Sequence, residues 1–243
     1  MSENSLSSPS RQPRVWLAAL ALLLFSIFMA LGVWQVFRLQ WKEDLIARVD
    51  DRVHQAPVQL PPSNAWPQMN ALSDEYRHVR ATGVWLNDKS ARVQAVSDYG
   101  SGYWLMTPLK LADGNVVLVN RGFIAPSLKL PVAASAGQQT VTGLLRISQP
   151  GGGFLRKNDP QADRWYSRDV QAIAQARGLQ QVAPFFIDAD ATPDQDNPER
   201  GPVGGLTVIA FPNNHLGYAL TWFALAAMVA GAWFWILRHE RGR

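Results

Sequence analysis

Cysteine is absent from this chain of 243 residues, and histidine occurs only four times. Without thiols there is no disulfide framework, no thiolate nucleophile, no cysteine-ligated metal and no copper transfer through cysteine pairs. The histidines, His54, His78, His215 and His239, are scattered. Neither a Gly-x-Ser-x-Gly elbow nor a zincin pattern occurs, so an enzyme reading has little to stand on. Asp159, Asp163 and Asp169 could serve as acid and base, but the sequence gives them no partner pattern. Gly151-Gly152-Gly153 is followed by no Gly-Lys-Ser/Thr and reads as a flexible turn rather than a phosphate cradle. Charge is sparse, at 17% of residues, and the net value is +4. That excess sits in Arg11, Arg14, Arg238, Arg241 and Arg243 near the two ends, and the middle is nearly neutral. Nucleic acid is therefore not an expected partner.

Two uncharged apolar runs are present instead, at residues 15–37 and 216–237. Each is about 22 residues, or roughly 33 Å of helix, against a hydrocarbon core of about 30 Å, so each is expected to span a lipid bilayer. Trp16, Trp34, Trp41, Trp222, Trp233 and Trp235 sit in or beside these runs, as indole rings do at membrane interfaces. Ala30 and Gly32 resemble a signal-peptidase site. The run, however, outlasts the about 7–15 residues of a signal core and continues through Trp34 and Phe37, which favours a retained anchor. The flanking arginines place both termini in the cytoplasm and the middle domain on the periplasmic face of a bacterial inner membrane, or on the equivalent organelle face. Arg38, Lys42 and Arg48 weaken the contrast and are partly offset by Glu43, Asp44, Asp50 and Asp51. The expected organisation is a disordered N-terminus over 1–14, a span over 15–37, an extramembrane domain over 38–215, a span over 216–237 and a tail over 238–243.

Residues 38–53 have helix-compatible spacing, ended by Pro57, Pro61 and Pro62. Beyond them, β-branched and aromatic runs at 76–86, 92–97, 103–111, 116–123, 140–147, 182–187 and 203–211 predict strands. Asp113-Gly114-Asn115 predicts a hairpin turn, and Val170, Ile173, Ala174 and Arg177, followed by Gly178, predict a helix over 167–177. The expected fold class is membrane α+β, with two transmembrane helices flanking a mainly antiparallel β domain. That domain is a small barrel or sandwich-like sheet with one or two helices.

At the start of the second run stands Asn213-Asn214-His215-x-x-Tyr218-Ala219-x-x-Trp222. On a helix, His215, Tyr218, Ala219 and Trp222 share one face at the membrane surface. An imidazole there can ligate iron or hydrogen-bond a carboxylate, and the aromatics can stack on a flat macrocycle. The same residues also suit a plain asparagine cap followed by a polar interfacial histidine. Gln35 lies inside the first run, where an amide faces another helix or a bound group, and Gly32 permits close approach. The bland account of that segment is an aromatic belt with snorkelling Arg38 and Lys42. Ala227 and Gly231, four apart, suit helix pairing. Asp188, Asp190, Thr192, Asp194, Asp196 and Glu199 match calcium-loop spacing, but Pro193 stands where the turn needs glycine, so a solvated acidic loop is expected.

Taken together, these segments resemble the surfeit locus protein 1 family, assembly factors of haem-copper cytochrome c oxidases. The resemblance rests on Gly32-x-Trp34-Gln35-x-x-Arg38, Tyr76-Arg77-x-Val79 with Gly83, Asn120-Arg121-Gly122-Phe123, Arg156-x-Asn158-Asp159-Pro160, Trp165-Tyr166-x-x-Asp169, Pro202-x-Gly204-Gly205 and Asn214-His215-x-x-Tyr218-Ala219-x-x-Trp222. Phe123 stands where the family often has Trp, a conservative departure. The resemblance implies a non-catalytic factor that binds haem a and aids its insertion into the large oxidase subunit, working alongside the haem a synthesis machinery. His215 would be the ligand to the haem iron, Tyr218 and Trp222 would shape the pocket, and Gln35 or Trp34 would close it. The alternatives are a cofactor-free membrane chaperone of an oxidase intermediate and, more remotely, an anchored exported hydrolase.

Overall fold

A helix α1 occupies Gln12–His54 in the computed structural model, which describes residues 12–129, 137–153, 155–193, 195–209 and 213–240. It is unbroken from the apolar run through the charged stretch beyond it, and it stops just before Pro57. Residues 12–14 were expected to be disordered and are helical. Pro13 is tolerated there because a first-turn N–H has no partner to lose. The remainder of that expected disorder, at residues 1–11, lies outside the described residues, as do Arg241 and Arg243. The described residues fall into two compact units, one containing those up to Arg48 and from Asn213 onward, the other Val49–Ile209.

The second unit is built from β1 (Val58–Gln59), β2 (His78–Trp85), β3 (Ala91–Ser97), β4 (Gly100–Leu111), β5 (Val116–Ile124), β6 (Gln139–Ile147), β7 (Gly152–Gly153), β8 (Arg156–Lys157), α2 (Val170–Ala176) and β9 (Val182–Ala189). Its main sheet runs β1-β2-β6-β9-β5-β4-β3 and closes through a second pairing of β2 with β4, where Gly83 faces Leu111 and Trp85 faces Leu109. The result is a small barrel of β2, β6, β9, β5 and β4, antiparallel except where β5 runs parallel to β9. Closure pairs the β2 and β4 edges with each other, while β1 and β3 remain as edge strands. Gly83 permits it, because a Cβ there would lie 2.3 Å from the Lys110 carbonyl oxygen.

β5 reads as a continuous apolar run because it is buried on both faces. Val117 and Val119 point into the barrel with Val79, Leu109, Leu145, Phe185 and Ile187. Leu118 points outward into a second core with Met106, Trp165, Ile173 and Phe186, which α2 covers. The expected Asp113-Gly114-Asn115 turn joins β4 to β5, with Asp113 Oδ1 accepting from the Asn115 N–H at 3.0 Å. α2 starts at Val170, later than expected, because Asp169 is its cap and accepts from the Ala172 N–H at 3.1 Å. Gly178, at φ +62°, ends it.

Two expectations fail in this unit. Residues 203–209 form no strand. Their ladder contact is a single bridge between Val203 and Phe123, and Gly205 instead donates to the Ala189 carbonyl at 2.9 Å. Gly204 lies so close to the preceding segment that a Cβ would sit 2.4 Å from the Asp190 carbonyl oxygen, so only glycine fits there. The rest of the expected strand, 210–211, lies outside the described residues. Asp188 does not belong to a solvated acidic loop either, because β9 extends two residues further than expected and buries it at 3% exposure. Asp194 lies outside the described residues.

Candidate functional site

α3 (His215–Glu240) and α1 are both long and apolar enough to cross a membrane. Their outward residues include Leu22, Phe37, Met228 and Phe234, all exposed, as lipid-facing side chains must be. The seam between the two helices uses Phe28, Gly32 and Gln35 on α1, spaced by four and three residues. Ala219, Trp222, Phe223 and Ala226 face them from α3. Trp222 stacks on Phe28, with ring centroids 5.8 Å apart and planes 25° apart. Gly32 makes room for the Phe223 ring, since a Cβ there would lie 2.5 Å from Phe223 Cε1. Ala219 and Ala226 are buried at 2% and 1% exposure. Ala227 and Gly231, read from spacing as a pairing motif, lie off this seam: both are exposed, and nothing stands within 4 Å of Gly231's Cβ position. Helical pitch places Ala226, not Ala227, one turn beyond Trp222 and Phe223.

At the Asn213 end of the seam His215, the first residue of α3, meets Gln35 of α1, with Nδ1 2.8 Å from Gln35 Oε1. Gln35 is 8% exposed, so its amide turns away from lipid to this one ring. A neutral ring that donates from Nδ1 to this oxygen keeps its lone pair on Nε2, the arrangement by which an outer partner orients a histidine for ligation. Beside it, Asn213 Oδ1 is buried without a hydrogen-bond partner among the described residues. Of the five residues singled out from sequence, His215, Gln35 and Trp222 thus line one seam. Tyr218 and Trp34, each more than half exposed, lie outside it on the open flanks of their helices.

The other side chains weighed for chemistry have structural partners. Asp159 pairs with Arg164 at 2.6 Å, Asp163 accepts from Arg177 and from the Trp165 indole at 2.6 Å each, and Asp169 caps α2. His78 in β2 bonds Asp190 Oδ2 through Nε2 at 2.7 Å, and His239 rests on Trp235. His54, in the last turn of α1, lies against Asp50.

Sequence reasoning missed a buried polar centre in the β unit. Asp188 accepts from Arg146 at 2.9 Å, Arg168 at 3.0 Å, Asn120 at 2.8 Å and Thr207 at 3.1 Å. Arg146 also reaches Glu75 at 3.2 Å and lies over the Tyr76 ring. Burial pulls the Arg168 guanidinium below its ordinary value, and the neighbouring Asp188 charge opposes that shift. Two guanidinium groups against two carboxylates leave the cluster neutral, so it ties β9, β6 and the 203–209 segment together instead of presenting a charge. Asn120 was visible as part of a motif; its partner Asp188 was not, because the acidic spacing drew Asp188 into a loop.

A pair of apolar helices framing a polar contact at one end, joined in sequence to a small closed β-barrel, defines a class of membrane-anchored barrel protein. Residues 22–227 match the sequence model of the SURF1 family. The chain is 34% identical over 234 residues to a SURF1-like protein of Monosiga brevicollis, covering 89% of this chain and 86% of that one. It is also similar to Surfeit locus protein 1 of Homo sapiens, at 33% identity over 84% of this chain and 72% of that protein, and to that of Mus musculus, at 32% over 88% and 73%. The chain belongs to the SURF1 family.

Proposed function

We propose that this protein is a non-catalytic, membrane-anchored assembly factor for a haem-copper cytochrome c oxidase, and that it holds haem a at His215 for transfer to the large oxidase subunit. The observation that carries this reading is the 2.8 Å contact of Gln35 Oε1 with His215 Nδ1, which leaves Nε2, at the start of α3, without a hydrogen-bond partner among the described residues. The donor set suits a haem. Imidazole is a common axial ligand, and Tyr218 and Trp34, exposed on the flanks of the two helices, are available to cover an apolar macrocycle. Asn213 Oδ1, unpartnered among the described residues, offers an acceptor to a bound polar substituent. When bound, haem a would be cargo, and a single protein ligand suits a carrier that must release it. Gln35 is a positioning residue that fixes the ring.

On this reading both termini lie in the cytoplasm and the β-barrel lies on the periplasmic face of a bacterial inner membrane, or on the equivalent organelle face. There it docks on the nascent oxidase and receives haem from the synthesis machinery. The second reading, a cofactor-free chaperone, draws on the same contact, since a His215–Gln35 bond also serves as an interhelical clamp. Complementation with two variants separates the two. In cells lacking the protein, His215→Ala should fail to restore haem a content per large oxidase subunit, whereas Gln35→Ala, which breaks the clamp and keeps the imidazole, should restore it at least in part. Full restoration by His215→Ala, or equal failure of both variants, would favour the chaperone.

A further inference from the structure

Interior positions of β5 alternate Val117, Val119 and then Arg121, so the strand that supplies the barrel's core places a guanidinium at the barrel's mouth three residues before its end. Deeper inside, Trp66 closes the core edge-on against Phe185. Four residues further along β9, at Ala189, a cleft of about 350 Å³ opens, lined by Trp85, Arg121, Gln139, Thr140, Thr192 and Gln195 among others. Arg121 lies half-buried over the Trp85 ring, 5.0 Å from its centroid, and its hydrogen bond to Asn87 Oδ1 is long at 3.4 Å. Among the described residues it has no carboxylate partner. Asp190, on the same cleft, is taken by His78.

A desolvated cation without a carboxylate among the described residues is costly, and the more deeply buried Arg146 and Arg168 both have one. Burial indeed pulls Arg121 below its ordinary value. Most of the five guanidinium donors find no partner among the described residues, and they form a fork that matches a planar carboxylate. Asp190 across the cleft disfavours a dianion such as phosphate. The cavity is at the small end of ligand sites.

We propose that the open mouth of the β-barrel is a carboxylate-binding site in which Arg121 grips the ligand against the Trp85 ring. The ligand is a monocarboxylate, either a small free acid or the carboxyl end of a peptide chain. This site is independent of His215, so loss of either leaves the other standing.

The test uses the full chain in detergent micelles, following the Arg121 Nε–H signal by NMR, assigned by its loss in Arg121→Lys. The probes are sodium acetate, N-acetylglycine, neutral N-acetylglycinamide and inorganic phosphate. Saturable shifts with the carboxylates, weaker ones with phosphate and none with the amide are expected. Tighter binding of N-acetylglycine than acetate assigns the site to chain termini, and equal binding assigns it to free acids. Gln195→Glu, an exposed change on the cleft rim, should weaken carboxylate binding about threefold by charge repulsion while the fold is kept. The proposal is overturned if neither carboxylate gives a saturable shift, if the amide matches them, if phosphate binds more tightly, or if Gln195→Glu changes nothing.

Discussion

Asp188 has the most demanding environment of any side chain in the β unit. Its carboxylate is 3% exposed and accepts hydrogen bonds from two arginines, an amide and a hydroxyl. Asp188→Asn would leave Arg146 with Glu75 alone and Arg168 with no carboxylate among the described residues. Removing one partner of a buried ion pair costs about 3–5 kcal/mol, so urea unfolding followed by tryptophan fluorescence should show a loss of that order. Glu75→Gln should cost clearly less, because that carboxylate is 23% exposed and touches one arginine. Gly122 is a second sensitive position. At φ +128°, with Val203's carbonyl oxygen 2.1 Å from its Cβ position, it admits no side chain, and Gly122→Ala should destabilise the barrel measurably in the same assay. None of this is visible in one dimension. The acids at 188–199 fall at calcium-loop spacing, and only the extension of β9 through Ala189 turns the first of them inward.

At the scale of elements, most strands were legible because β-branched and aromatic runs alternate with Asn, Asp and Gly turns, and barrel closure leaves those runs buried. The 203–209 segment was misread for the same reason: its apolar composition suits a strand, but the paired glycines hold it against β9's end instead. The helix seam was half legible. Gln35 and His215 were singled out by polarity inside or beside apolar runs, whereas the choice of Ala226 over Ala227 depends on the rotation of α3, which a run apolar on every side does not encode. Gly32→Val should therefore lower the thermal stability of the helix pair in detergent by displacing Phe223, while Gly231→Val, facing open space, should not. The turn before β2 carries a pH signature. Burial raises the Asp74 carboxyl, but hydrogen bonds from Ser73, the Asn70 N–H and Arg77 outweigh it and hold the group below its usual value. Its contribution is complete above the unfolded carboxylate pKa and is lost as pH falls through the lower folded value. Acid titration should show Asp74→Asn less stable than wild type near neutrality, with the gap closing below about pH 4.

For the whole molecule, the absence of cysteine makes topology directly measurable, because any introduced thiol is unique. A cysteine at the exposed Val96 of β3 should react with an impermeant maleimide in intact cells, and one at Gly242 only after the membrane is opened. The reverse pattern would invert the arrangement. The central claim is that the helix pair presents His215 Nε2 to haem a while Gln35 fixes the ring. It is tested most directly by the haem content and visible spectrum of the protein purified from membranes that make haem a, beside His215→Ala at matched yield. The account predicts a haem a spectrum in wild type that disappears in His215→Ala. A folded wild type without haem, or a haem spectrum unchanged in His215→Ala, would contradict it.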